Sequence, residues 1–489
     1  MSRRACHEIC LIQYFSENTS LAAHCKITAR TPFTQKPHTM PQLDSAFICR
    51  VLQQPLNPTN TIINRVIIDS RQAQVGDLFV ALKGERFDAH DFVDEVLAKG
   101  AVCLTDRADC VGKAGCLNVA NTEQALGQLA NAWRCAVNPE LIVFGITGSS
   151  GKTTVKEMLA AVLRQHAGND AVLATAGNFN NHIGLPLTLL QLQAQHRYAV
   201  IEMGMNHFGE LAYLSSLAKP DFALVNNALR AHIGCGFDNV ADIAKAKSEI
   251  YSELPENGIG FIPCGDEHAE YFQAVLTKHR YYRFGIDCGE IRAENIRLAA
   301  DSVSFDLLSQ SAKTTVHIPC PGKHTIHNAL AAAALALAAN VPHQTIADAL
   351  AHFANIKGRL QFKRSVKGAL LIDDTYNANP DSMKAAIDVL AKQTAPRVLI
   401  MGAMAELGEN APAMHAEVGV YAKQCGIEHA LFFGEHADTA AQSYGSPHTF
   451  FTDKADLIAA AKALNSENKS FLIKGSRSMK MEEVVAALV

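Results

Sequence analysis

Leu141-Ile142-Val143-Phe144-Gly145-Ile146-Thr147-Gly148-Ser149-Ser150-Gly151-Lys152-Thr153-Thr154 decides the fold. A continuous apolar run stops at a turn of small residues that ends in one lysine and two threonines. Behind the turn, Val155, Met158, Leu159, Val162 and Leu163 recur at helical spacing. The expected unit is strand, glycine turn, helix. Backbone N–H groups of such a turn close around phosphate oxygens, with the positive end of the helix dipole aimed at them. Gly148, Ser149, Ser150, Gly151, Lys152, Thr153 and Thr154 are therefore the candidate nucleotide-binding set. Lys152 would neutralise β/γ-phosphate charge and the Thr153 hydroxyl would hold Mg²⁺. The usual pattern has Gly five positions before Gly151, where Ile146 stands instead. A strand-turn-helix with no ligand is the competing reading, but a buried lysine between glycines is hard to justify without an anion.

With 489 residues the chain is too long for one core. Its 48% hydrophobic and 19% charged content are those of a globular enzyme. A net charge of -4 provides no field for a polyanion, so nucleic acid is not expected as a partner. No apolar run reaches the roughly 18 residues of a membrane span, so stable membrane insertion is not expected. The 13 cysteines are scattered without C-x-x-C spacing, which argues for reduced thiols in a cytoplasm. A monomer is expected.

Residues 1–39 show no sustained period and are expected to be an extension outside the core, with Met40 a candidate start. A small α/β region is legible from 40 to 122, where polar residues such as Ser70 and Arg71 collect at strand ends. A binding edge and a solvated loop account for them about equally. The region 123–340 begins with a helix from Thr122 and contains the phosphate turn. Its stretch Thr175–Pro186 carries Asn178, Asn180 and Asn181, amides able to donate and accept, and reads as a substrate loop. Tyr198–Ile201 is a buried-type strand ending in Glu202, placed to reach a metal beside the turn. His232 follows the next strand and, taken alone, reads as a loop histidine. Lys245 and Lys247 are two apart on a helix, so at most one faces a site. Asn328 opens a small-residue helix. The region 341–489 alternates strands and helices, as a doubly wound sheet requires. Two of its strand ends are chemically loaded, Asp373–Pro380 and Lys474–Arg477, and the latter suggests an anion.

Together these motifs resemble the Mur ligases, ATP-dependent amide-forming enzymes of peptidoglycan precursor synthesis. The resemblance covers nearly everything from Met40 onward and includes the short phosphate turn Thr147–Thr153. It implies an α/β fold of three domains: a small substrate domain, a central ATP-binding domain with a mostly parallel sheet, and a C-terminal Rossmann-like domain. It also implies a metal set of Thr153, Glu202, His232 and Lys247, the last as a carbamate.

The strings Gly177–Pro186, Asp373–Pro380, Met404–Gly408 and Lys474–Ser478 are similar to those of the family branch that adds D-alanyl-D-alanine to UDP-N-acetylmuramoyl-tripeptide. Two positions depart from the family pattern: Ala403, where Asp is usual, and Thr325, where Asn is common. The resemblance implies Lys152, Lys247 and Arg477 as catalytic residues, and Asn328 beside the nucleotide. Ser70, Arg71, Asn178, Asn180, Asn181, Asp374, Tyr376, Asn377, Asn379, Lys474 and Ser476 are implied on the substrates. ATP and Mg²⁺ are the implied cofactors. A sister ligase, a folylpolyglutamate synthase, or a nucleotide switch with no amide chemistry are the competing readings.

Overall fold

A computed structural model of the chain describes residues 42–489, apart from 55–59, 86, 235, 311 and 355. The expectations for residues 1–39 lie outside the described residues. Three sheets follow one another along the chain. The first is β1 (Arg65–Ile67), β2 (Asp77–Val80), β3 (Val102–Thr105) and β4 (Cys116–Asn118), all parallel in that order. Asp69 caps the short helical turn at Ser70, and Asp88 caps the one at Ala89, so both polar strand ends are locally hydrogen-bonded.

The central sheet contains β5 (Ile142–Thr147), β6 (Val172–Ala174), β7 (Tyr198–Glu202), β8 (Phe222–Val225), β9 (Ile259–Pro263), β10 (Arg280–Gly285), β11 (Ile291–Leu298), β12 (Val303–Ser309) and β13 (Ala312–Ile318). Their order is β13-β12-β11-β10-β9-β8-β5-β7-β6, parallel except at β11-β12-β13. After β5 the chain goes to one side for β6 and β7, then crosses to the other for β8. The reversal puts a crevice at the carboxyl end of β5, where an open parallel sheet binds ligands.

Alternate residues of these strands feed two cores. Val143, Ala199, Ile201 and Val225 face one, while Phe144, Ile146, Val200 and Leu224 face the other. Burial on both faces is why β5 is apolar without interruption. One core takes the helices Lys152–Ala167 and Lys323–Ala338. The other takes Thr122–Val137, whose Trp133 packs edge-on against Phe47 and donates to the Leu192 carbonyl. That helix therefore joins the first sheet to the central one without a break in packing.

The last sheet is β14 (Gln361–Arg364), β15 (Leu370–Asp374), β16 (Arg397–Gly402), β17 (His429–Phe433), β18 (His448–Phe451) and β19 (Ser470–Lys474), in the order β14-β15-β19-β16-β17-β18. Only β14 is antiparallel. Insertion of β19 between β15 and β16 brings the ends of all three, Asp374, Gly402 and Lys474, to one edge.

Several expectations are corrected. The small-residue helix starts at Lys323, so Asn328 lies more than a turn inside it rather than at its opening. The stretch Thr175–Pro186 is not wholly loop: a helix runs Gly184–Leu189, with Asn181 Oδ1 accepting from Gly184 N at 2.8 Å. Pro186 is tolerated there because first-turn N–H groups lack helical partners anyway. The thiols are not all reduced, since Cys264 and Cys288 are disulfide-bonded. The loops after β9 and β10 bring together sulfurs 24 residues apart in sequence, a juxtaposition that spacing does not reveal. Among the described residues seven other cysteines are free. Among the described residues no helix is long and apolar enough to cross a membrane.

Candidate active site

The phosphate turn is held by the end of β8. Asn227 Oδ1 accepts from Ser150 N at 2.9 Å, and the side-chain amides of Asn226 and Asn227 both donate to the Ser150 carbonyl, at 2.9 and 3.1 Å. Ser149 Oγ donates to the Leu229 carbonyl at 3.1 Å and accepts from Leu229 N at 2.9 Å. Asn226 Nδ2 also donates to Asn328 Oδ1 at 3.0 Å, so Asn328 backs the turn from the opposite helix. Gly151 sits between these amides with φ +81. A Cβ there would lie 2.4 Å from Asn328 Oδ1 and 2.5 Å from Asn226 Nδ2. Glycine is required on both counts. Lys152 Nζ donates to the Gly148 carbonyl at 2.7 Å, and burial holds its ammonium below the usual lysine pKa against the attraction of Glu202.

Glu202 ends β7 at 2% exposure. Its Oε1 accepts from Asn180 Nδ2 at 2.7 Å, and its Oε2 is buried with no hydrogen-bond partner among the described residues. Lys247 is buried on the helix Val240–Ser248, whereas Lys245 is exposed, in line with the two-apart spacing. Burial pushes the Lys247 amine well below the ordinary lysine pKa; Lys152 pushes it the same way and Asp266 opposes. His232 (φ +65) and Glu406 (φ +62) both adopt the left-handed conformation, and His232 Nδ1 lies 2.7 Å from Glu406 Oε2. The two left-handed non-glycine residues thus face each other across this pair.

One cavity of about 1320 Å³ brings the phosphate turn together with Asn178, Asn180 and Asn181, Glu202, His232, and the C-terminal strand ends at Asp374, Tyr376, Asn377, Asn379 and Lys474. Asn379 Nδ2 reaches Ser150 Oγ at 3.1 Å while its Oδ1 caps the helix Pro380–Ala391. The Lys474–Arg477 turn is not the open anion cradle that its composition implied. Buried Lys474 pairs with Asp374 at 2.6 Å and donates to the Asn377 carbonyl at 2.7 Å. Ser476 Oγ accepts from Ala405 N and donates to the Ala378 carbonyl. Arg477 sits at the rim, 64% exposed and paired with Glu482. Ser70 and Arg71 lie outside the cavity, Arg71 paired with Asp69.

Arg359 went unnoticed in the sequence. Its Nη2 donates to Thr153 Oγ1 at 2.8 Å, and its guanidinium stacks 4.1 Å from the Tyr376 ring centroid. Its sequence signal is no more than the Gly358-Arg359 pair shortly before β14. His324 lines the cavity too, its pKa pushed down to about 4 by burial.

Family models match three successive parts of the chain: "Mur ligase family, catalytic domain" at residues 62–134, "Mur ligase middle domain" at 146–336 and "Mur ligase, glutamate ligase domain" at 358–477. The chain belongs to the Mur ligase family. As a Mur ligase it is 44% identical to the UDP-N-acetylmuramoyl-tripeptide--D-alanyl-D-alanine ligase of Escherichia coli K12, over 90% of this chain and 96% of that one. It is 34% identical to the enzyme of the same name from Bacillus subtilis, over 88% and 94%. Among solved structures it is similar to MurF from Acinetobacter baumannii, with a TM-score of 0.85, 37% identity, and 91% and 98% coverage. MurF of Thermotoga maritima in complex with ADP gives a TM-score of 0.76 at 26% identity, with 86% and 96% coverage. The fold alone extends to a folylpolyglutamate synthase of Mycobacterium tuberculosis, with a TM-score of 0.61 at 15% identity over 75% of this chain.

The Gly151 geometry predicts that Gly151→Ala weakens ATP binding at least about tenfold, since strain and close contact each act at the turn. Calorimetric titration with ATP checks this, with circular dichroism as the folding control. Unchanged affinity would contradict the packing around Gly151.

Proposed function

We propose that this Mur ligase joins D-alanyl-D-alanine to UDP-N-acetylmuramoyl-tripeptide, using ATP and Mg²⁺, in peptidoglycan precursor synthesis. The observation that carries the reading is the single cavity in which the phosphate turn, the half-free carboxylate of Glu202 and the C-terminal strand ends meet. The names of its relatives in Escherichia coli and Bacillus subtilis support the choice of substrates.

A carboxylate is a poor electrophile. Its oxygen attacks the γ-phosphorus, ADP leaves, and the resulting acyl phosphate carries a good leaving group. The amine of D-alanyl-D-alanine attacks the carbonyl carbon, the tetrahedral intermediate expels phosphate, and the amine gives up a proton. Lys152 and the N–H groups of Gly151–Thr154 neutralise charge on the transferring phosphate, and Arg359 orients Thr153. Arg477 is proposed to turn from Glu482 toward the same phosphate. Residues 40–122, through Ser70 and Arg71, take the UDP end; 123–340 hold ATP; 341–489 take the acceptor along Asp374–Asn379, Lys474 and Ser476. An acyl phosphate hydrolyses in water, so the three regions close around it. A monomer in the cytoplasm completes the reading.

Among the described residues no three His, Cys, Asp or Glu side chains are arranged to hold a metal. The orphaned Glu202 Oε2 nonetheless fits one. Thr153, Glu202, His232 and a carbamate on Lys247 would hold Mg²⁺, which when bound offsets negative charge on the phosphoryl oxygens. The burial of Lys247 favours the neutral amine, the form that adds CO₂ to give a carbamate and a proton.

Purified protein given ATP, UDP-N-acetylmuramoyl-tripeptide and D-alanyl-D-alanine is expected to yield the pentapeptide by mass spectrometry, with phosphate released only when both substrates are present. Equal turnover with free L-glutamate or a single diamino acid would sink the assignment, as would ATP hydrolysis without acceptor. Lys247→Ala is expected to lower turnover at least about 100-fold, the scale of losing one charge-stabilising group. Bicarbonate or short carboxylates should restore part of it; a fully active alanine variant would rule out the carbamate.

A further inference from the structure

Arg230 lines the nucleotide cavity, where a free guanidinium would be expected to face anionic substrate. Its donors are instead taken by two carboxylates from the C-terminal region. Nε and Nη2 reach Asp381 Oδ1 at 3.2 and 2.6 Å, Nη1 and Nη2 reach Glu417 at 2.7 and 3.1 Å, and the backbone N–H adds a bond to Asp381 at 3.1 Å. Arg230 and Asp381 are about three-quarters buried, at 28% and 25% exposure. Asp381 sits in the first turn of the helix Pro380–Ala391, and Glu417 on the helix Ala411–Gln424, where Lys384 also holds it. The Glu417 carboxyl is drawn down to about 2, chiefly by its hydrogen bond from Arg230.

The same loop carries the phosphate turn on its other side. Leu229, one residue before Arg230, holds Ser149 Oγ in both directions. Two residues later His232 meets Glu406, and a Cβ on Gly234 would lie 2.4 Å from Gly408 Cα. The loop after β8 thus begins on the phosphate turn and ends on the C-terminal region. An exposed ion pair would be worth little, but a forked guanidinium shared by two half-buried carboxylates fixes both distance and orientation.

We propose that Arg230 is a positioning residue that latches the C-terminal region over the nucleotide, coupling occupancy of the phosphate turn to capture of the acceptor. The acceptor half of this inference rests on the ligase reading above, and the closure half does not.

Small-angle X-ray scattering of the full chain with β,γ-imido-ATP and Mg²⁺, paired with steady-state kinetics, tests it. The wild type is expected to compact with nucleotide, and Arg230→Ala and the isosteric Glu417→Gln to lose that compaction. In Arg230→Ala the KM for D-alanyl-D-alanine should rise about tenfold, as for a truncated partly buried charge pair, with the KM for ATP unchanged. Adding Glu417→Gln to Arg230→Ala should cost nothing further. No compaction in the wild type, intact compaction in both variants, an unchanged acceptor KM, or additive losses would each overturn the latch. If Arg230→Ala fails to fold, Glu417→Gln alone decides. A wild type that makes no product removes the ligase reading and leaves the scattering comparison standing.

Discussion

A phosphate turn has to hold a fixed shape and still leave N–H groups for the phosphate. Here two asparagine side chains at the end of β8 hold the Ser150 peptide unit while the first N–H groups of the following helix stay available. Asn226 and Asn227 hold the Ser150 carbonyl, and Asn226 carries the contact on to Asn328. Their closeness leaves no room for a Cβ at residue 151, so the turn is set by contact as well as by φ. The topology of the central sheet makes this possible, because β8 lies directly beside β5 at the point where strand order reverses. Everything else in the cavity is arranged around that fixed edge.

The charges gathered there are a poor recipe for stability. Burial disfavours the Lys152 ammonium, Glu202 keeps one oxygen without a partner among the described residues, and Lys474 is buried against a single carboxylate. Buried ion pairs and orphaned polar atoms are weak or negative contributors to folding. Their collection in one cavity is better explained by a ligand that brings compensating charge. A polyphosphate and a divalent cation, as in the proposed function, would do so, and a carbamate on Lys247 would replace a neutral amine with an anion.

Much of this was legible in the chain itself. The apolar run from Leu141 and the helical spacing behind Lys152 located β5, its turn and its helix, because burial on both sheet faces leaves a continuous signal. Glu202 stood out as a carboxylate closing such a strand. What stayed hidden depends on pairing across long separations. Arg359 reaches Thr153 from a segment with no period, and Arg230 meets Asp381 and Glu417 only after the last sheet has folded. The edge strands β14 and β18 are short and partly exposed, so neither carries a clear apolar pattern. The pairing of Lys474 is hidden in the same way, because Asp374 arrives from a strand a hundred residues earlier.

In the proposed reaction the γ-phosphate passes to the peptide carboxylate before the amide forms. Labelling that terminal carboxylate of UDP-N-acetylmuramoyl-tripeptide with ¹⁸O, and following turnover with ATP and D-alanyl-D-alanine, tests it most directly. An acyl phosphate requires one labelled oxygen to leave with inorganic phosphate, which the mass spectrum of the released phosphate would display. Phosphate free of label, formed in step with the amide product, would contradict the account.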